Sequence, residues 1–421
     1  MRWPSGPILG AIAGAAFGTL ASAETPEVAF HGFVQAGFAS RMNHADEADA
    51  PGDVLVAEPR LQLAVTGTVP GADMRLFAKA DLFHDAVARK ADWELREAYL
   101  DLGRRKLSAR IGRQIITWGT GDLLFINDIF PKDWGALFAG RPLEYLKVGV
   151  DAAKVTLRVE PGALEAVVMP VFEPDRLPSR DRLMLFDPFP GARDHTTEYP
   201  RADLENIELA VRASGSLGGW DAAIYAYRGF YRSPAWIPDI PAAPTRVTER
   251  YPRRYVYGAS IRGAALGGVV SLEGGYQESP EDRAGFDPFV ENSQFLLLAG
   301  YQRQLSSSFT IGLQAYAERT MHYDEYLRSI PAGSRPRDEV RQLVTVRVTW
   351  LSRYQTWRLS AFAYYSPTDE DYYVITELFH SLADGAWFAL GANLFGGRND
   401  STFFGQLSRN DNVYLTIRYE F

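Results

Sequence analysis

The last ten residues, NVYLTIRYEF, alternate without a break. Val413, Leu415, Ile417, Tyr419 and Phe421 are apolar, whereas Asn412, Tyr414, Thr416, Arg418 and Glu420 are mostly polar. A period of two places the two sets on opposite faces of a β-strand. The pattern recurs along the chain. Val155, Leu157 and Val159 oppose Lys154, Thr156 and Arg158. Phe309, Ile311, Leu313, Ala315 and Ala317 oppose Thr310, Gly312, Gln314, Tyr316 and Glu318. Val344, Val346, Val348 and Trp350 oppose Thr345, Arg347 and Thr349. Helical three-four spacing is nearly absent. A chain of two-faced strands must fold as sheet, and every sheet must protect or abolish its edges.

Turn chemistry divides the pattern into about 18 strands, near 28–40, 57–69, 73–86, 92–103, 106–118, 147–159, 163–174, 203–215, 218–231, 251–264, 268–280, 291–304, 307–321, 338–351, 355–367, 372–381, 385–396 and 409–421. Short Gly/Ser/Pro/Asp turns such as VPGAD, GRRK, EPGA and GSLGG take turns with longer linkers, the longest being 41–56, 119–146, 172–202, 232–250, 322–336 and 396–408. That parity fits an up-and-down meander with two unequal rims. A soluble β-sandwich or propeller would also alternate. Here, however, the polar face carries Arg, Glu, Gln and Tyr, which suit a wet lumen better than a dry core. The strands also reach the ~9–11 residues that a tilted strand needs to cross a bilayer. In hydrocarbon every backbone group must be paired within the protein, so the sheet must close. The final strand is then expected to pair with the first, around Val28–Ser40. The tyrosine pairs Tyr225/Tyr227, Tyr364/Tyr365 and Tyr372/Tyr373 fall near strand ends, where interfacial girdles lie.

The beginning of the chain agrees. Arg2, an apolar run rich in Ala and Gly, and Ala21-Ser22-Ala23 before Glu24 have the layout of a secretory signal peptide over residues 1–23, leaving 24–421 as one barrel domain. There are no cysteines, which excludes disulfides and thiolate metal sites. Beyond the leader no run of ~18 apolar residues encodes a transmembrane helix. The net charge is −8, or −9 once Arg2 is removed, with no basic stripe, and this argues against a nucleic-acid partner.

Together, the leader, the alternating strands and the aromatic last strand resemble a Gram-negative outer-membrane β-barrel. REAYLDL (96–102) with ARIGRQIITWG (109–119) is similar to a strand pair of porins and alginate-exporter-like barrels, and LGANLFGG (390–397) with GQLSRNDNVYLTIRYEF (405–421) resembles their closing hairpin. The resemblance implies residence in the outer membrane among lipid and lipopolysaccharide. It also implies a terminal strand, with Tyr419 and Phe421, that is read by the barrel-insertion machinery; an oligomer is possible.

The stretch 112–149 is the most informative. Its linker, 119–146, is long, yet too apolar to wave in water: it holds Leu123, Leu124, Phe125, Ile126, Ile129, Phe130, Trp134, Leu137 and Phe138. By likeness to porins it is expected to fold into the lumen and narrow it. Its charged residues, Asp122, Asp128, Lys132, Asp133, Arg141 and Glu144, would face a wall that by alternation offers Arg75, Lys79, Glu97, Asp101, Arg113, Lys154, Arg158, Arg212, Arg262, Arg347, Arg358 and Arg418. Glu208, Glu273, Glu318 and Glu420 share strands with the arginines, a departure from the strongly basic lumen of alginate exporters. Rings of charge set ion preference in pores.

Other constellations point less far. The acid- and Arg-rich stretch 172–203 could hold a divalent cation but reads better as a solvated loop with local ion pairs. The six histidines show no metal-ligand spacing, GTGD (119–122) is not followed by the GK[ST] of a phosphate loop, and Trp118, Trp134 and Trp236 read as packing or girdle residues. The sequence therefore predicts no enzyme and no cofactor. It predicts an outer-membrane channel passing small polar or anionic solutes through a constricted lumen. The alternative is an outer-membrane export component for polysaccharide or lipid, working with inner-membrane and periplasmic partners.

Overall fold

The structure is a computed structural model that describes residues 27–44, 50–69, 73–241, 243–331, 334–352 and 354–421; the expected leader over 1–23 lies outside them. The strands are β1 (Glu27–Arg41), β2 (Val54–Val69), β3 (Met74–Asp85), β4 (Lys90–Arg104), β5 (Leu107–Gln114), β6 (Val150–Val159), β7 (Gly162–Met169), β8 (Asp194–Glu198), β9 (Glu208–Leu217), β10 (Trp220–Phe230), β11 (Ala235–Pro238), β12 (Arg246–Arg250), β13 (Arg253–Ala265), β14 (Gly268–Glu278), β15 (Gln294–Ser306), β16 (Phe309–Thr320), β17 (Val340–Leu351), β18 (Trp357–Ser366), β19 (Asp371–Ala383), β20 (Ala386–Gly397) and β21 (Asn412–Glu420). Eighteen of them form one antiparallel sheet in which each strand pairs with the next. β8, β11 and β12 form a separate small sheet.

The large sheet is closed. β21 pairs with β1 from Phe33 opposite Glu420 to Arg41 opposite Asn412. The seam continues past the strand, where the amides of Gly32 and Phe421 each donate to the other's carbonyl at 2.9 Å. No row of unpaired backbone groups is left along the wall, which is the condition for a sheet to sit in hydrocarbon. The expected pairing of first and last strands is thus realised, down to the terminal phenylalanine.

The two faces are inverted relative to a water-soluble sheet. The outward face is the apolar one: Phe30, Val34 and Phe38 on β1, Leu272 on β14, and Val344 and Val346 on β17 are all exposed. Inward positions carry the charges, and Arg60, Asp81, Glu208 and Glu273 are buried. Water could not be the outer solvent for such a surface without a large hydrophobic cost, since each square ångström of exposed apolar area is worth about 25 cal/mol. A lipid environment removes that cost, and the polar groups turn to the lumen.

Both ends of the sheet and the tight connections, such as those between β4 and β5 and between β13 and β14, share one rim. The other rim carries the long segments 115–149, 170–207, 231–252, 279–293, 321–339 and 398–411. Two corrections concern strand ends. β5 stops at Gln114, not at 118, because the chain leaves the wall there and Ile116 and Trp118 are buried inside. β7 stops at Met169, short of the expected 174. The small sheet and two short helices, Trp134–Phe138 and Tyr323–Ser329, were not expected.

Candidate functional site

The segment 115–149 leaves the wall at β5, runs through the lumen and rejoins it at β6. Its apolar residues determine this course. Ile126, Ile129, Phe130, Leu137, Phe138 and Leu146 are all buried, and outside the barrel they would lie in water. Leu137, Phe138 and Leu146 join one inner cluster with the wall residues Phe362, Tyr364, Tyr373, Phe395 and Tyr414. Ile129 and Phe130 join another with Val167, Ala210 and Val256. Two other long segments reach the first cluster through Leu183 and through Phe404 and Leu407.

The loop's reach can be measured around the ring. β17 and β18 lie eight strand pairings from β6 and β5 respectively, counted away from the loop's own gap, and so stand directly opposite it. The loop meets both. Asp122 pairs bidentately with Arg347 of β17, its Oδ1 accepting at 2.8 Å, and the Tyr364 hydroxyl of β18 donates to the carbonyl of Leu123 at 3.0 Å. The lumen is therefore spanned across its full width.

Several further anchors fix the loop. Glu273 on β14 is buried, and its carboxylate collects five donors. One oxygen accepts from the Thr120 amide at 2.5 Å, the Thr120 hydroxyl at 2.9 Å and the Gly121 amide at 3.1 Å. The other accepts from the amide and side chain of Asn127, both at 3.0 Å. Glycines on the wall make room: a Cβ on Gly258 would sit 1.8 Å from Asn127 Oδ1, and one on Gly275 would sit 2.7 Å from Ile126. Asn412 donates to the Phe138 carbonyl at 3.0 Å. The buried Arg232 guanidinium donates to the Ile129 carbonyl at 3.1 Å and to Glu208 at 3.0 Å. Arg96 donates to the Glu144 carbonyl at 2.8 Å, and with Arg60 it encloses the Tyr145 ring, the two guanidiniums lying 4.8 and 4.5 Å from its centroid.

Of the loop charges expected to meet the wall, three do so: Asp122 with Arg347, Arg141 with Glu58 at 2.8 Å, and Glu144 with Arg418. The other three do not reach the wall, which corrects that expectation. Asp128 is buried and needs nearby cations, and Lys132 and Lys147 of the loop itself supply them. Burial lowers the Lys132 ammonium to about 8, against the opposing pull of Asp128. Asp133 accepts from the Ala136 amide at 2.7 Å as the N-cap of the short helix and bridges Arg176 at 3.6 Å. Burial raises its carboxyl, which Arg176 partly offsets.

On the wall, Arg347 and Arg418 meet the loop. The rest mostly pair with neighbouring acids: Lys79 with Glu97 at 3.0 Å, Asp101 with Arg110 at 2.7 Å, Lys154 and Arg212 with Glu165 at 3.9 and 3.8 Å, and Arg358 with Glu377 at 3.0 Å. Arg75, Arg158 and Arg262 occupy inward positions nearer the short-turn rim. Arg113 is a correction. It shares the outward register with Ile111 and Asp151 and pairs with Asp151 at 3.5 Å and Glu173 at 3.4 Å. Tyr419 and Phe421 point outward at the seam, both exposed.

The stretch 172–203 also departs from a wholly solvated loop. Asp175 accepts from the Lys132 amide at 2.7 Å and from the Trp134 indole at 3.1 Å, and Leu183 is buried. Asp175 thus braces the first loop, while Asp187 keeps a local ion pair with Arg180 at 2.6 Å. Among the described residues, no three His, Cys, Asp or Glu side chains gather as a metal site.

A solved structure shares this fold. Pseudomonas aeruginosa OccK11 (OpdR) superposes with a TM-score of 0.55 at 9% identity, covering 93% of this chain and 95% of its own. Salmonella typhi OmpF, in complex with daunomycin, aligns at 9% identity with a TM-score of 0.45 over 95% of this chain and 100% of its own. A mutant porin of Rh. blastica aligns at 10% identity with a TM-score of 0.42 over 94% and 100%. No curated protein sequence matches the chain. Residues 79–320, more than half of the chain, match the family described as a protein of unknown function, DUF1302, and the chain belongs to that family.

Proposed function

We propose that the protein is an outer-membrane channel for small organic solutes, its lumen narrowed by the loop 115–149. One observation carries this reading: a loop seated across the lumen and bonded to the opposite wall divides the interior and leaves limited space between itself and strands β16–β21. An apolar outer band on a closed barrel fits the outer membrane. Charge selection is weak in this reading. Arg347, Arg358, Arg418 and Arg141 each already face a carboxylate, so the narrowed part of the lumen beside the loop offers a solute little net field. The same pairing disfavours export of a polyanion, for which a surplus of unpaired cations would be needed. Liposome swelling with the purified protein tests the proposal. Swelling should occur with sugars and amino acids of small size and fall steeply as solutes grow. No swelling with any of them would overturn the channel reading.

A further inference from the structure

Two cavities lie between the loop and the wall, one above the other along the barrel axis. The upper one, on the long-loop side, has a volume of 230 Å³ and is bounded by Phe125, Trp134, Phe138, Tyr364, Tyr373 and Phe404, among others. The lower one has a volume of 450 Å³ and includes Arg347, Arg358, Phe379 and Trp387 in its lining. Their order follows from the strands. On β18 the upper cavity is met by Tyr364 and the lower by Phe362, Ser360 and Arg358; on β19 the upper is met by Tyr373 and the lower by Ile375, Glu377 and Phe379. Leu123 and Leu137 line both cavities and form the partition between them.

The polar tips around the upper cavity are already committed. The Trp134 indole donates to Asp175, the Tyr364 hydroxyl to the Leu123 carbonyl at 3.0 Å, the Tyr373 hydroxyl to Asn393 at 2.9 Å and the Tyr316 hydroxyl to Glu318 at 2.7 Å. Arg341, the cation among the lining residues, is paired with Asp369 at 2.5 Å. Apart from the Arg341 guanidinium, which Asp369 holds through Nε, what these residues offer a ligand is ring faces and leucine side chains. A sugar or an ion entering would lose hydration and gain few hydrogen bonds in return, whereas an apolar ring would gain by burial.

Resting on the channel reading above, we infer that the upper cavity is a binding site for an uncharged, mainly apolar molecule of one or two fused aromatic rings, and that it is the entry station of the route. Size agrees: a cavity of about 150 Å³ lined by similar residues accepts benzene, and this one is larger. Leu123 and Leu137 then separate this station from the more polar lower cavity, so that passage requires a small movement of the loop.

The test uses 2-naphthol with the full barrel in lipid nanodiscs, empty nanodiscs providing the partition background. Saturable binding is expected for the wild-type protein, with glucose failing to compete. Leu343→Trp fills the cavity from β17 and should weaken binding at least tenfold. Phe403→Ala removes an exposed ring at the mouth, with little risk to folding, and should weaken it a few-fold. Resistance to unfolding in a gel-shift assay shows that each variant is still a barrel. Binding equal to that of empty nanodiscs, or unchanged in a folded Leu343→Trp, would overturn the inference. Solute flux measured on the same preparations separates the two proposals: flux without 2-naphthol binding removes the aromatic site and leaves the channel, whereas 2-naphthol binding without flux removes the channel and leaves the site.

Discussion

Glu273→Gln isolates the anchor that holds the loop to β14. The substitution keeps the size of the side chain but turns one carboxylate oxygen into an NH2 group. One oxygen now accepts three hydrogen bonds and the other two, so whichever way the amide turns, at least two donors meet a donor. Hydrogen bonds to a charged group are worth about 1.5–3 kcal/mol each, and a buried donor left unpaired adds its own cost. A loss of about 3–5 kcal/mol in the local stability of residues 119–127 follows. At 1.4 kcal/mol per tenfold, local opening should rise by about 10²- to 4 × 10³-fold. The closed wall does not depend on this contact, so the barrel should stay folded. Hydrogen exchange read by mass spectrometry is the assay: amides of peptides covering 119–127 should lose protection by that factor, while peptides from β19 to β21 remain unchanged. Protection of 119–127 within about threefold of wild type would refute the argument.

Three further outcomes can be checked. Arg232→Met leaves Glu208 buried without its cation and should destabilise by about 3–5 kcal/mol, seen as a lower unfolding midpoint in denaturant; a midpoint shift equivalent to less than about 1 kcal/mol would contradict this. Asp122→Asn should cost only up to about 1 kcal/mol in stability, since the Arg347 pair is part-exposed at 31% and 46%, yet it should increase current fluctuations in single-channel records; a quiet trace would argue against a latch at that position. Removing Phe421 deletes the two backbone bonds that extend the seam at Gly32 and should slow assembly into lipid vesicles; unchanged assembly kinetics would contradict a role for that residue in closure.

The wall was legible in the sequence because its signal is local. Alternation assigns every inward and outward residue of β17 or β21 from neighbours along the chain alone. Arg113 shows where charge misleads: Ile111, two residues before it, is exposed on the outward face, and unbroken alternation puts Arg113 on that same face, opposite Asp151. The loop was legible as buried because its apolar residues exclude water, but not its partners: Asp122 and Arg347 are 225 residues apart, and only closure of the ring brings them together. Glu273 appeared simply as one acid among arginines. The available signal was its setting, a mid-strand inward carboxylate followed by Gly274 and Gly275, where the wall is thin enough to admit Asn127 and Ile126. The sheet formed by β8, β11 and β12 escaped notice because each piece is short and the pairing of β8 with β12 is parallel between distant segments.

The central claim is that residues 115–149 occupy the lumen and limit what passes. Single-channel conductance of the wild-type protein against a variant lacking 123–138 tests it most directly. The account predicts a small conductance for the wild type and a severalfold larger one for the deletion, with both proteins shifting on heating in gels as folded barrels. Equal conductances from two folded barrels would contradict it.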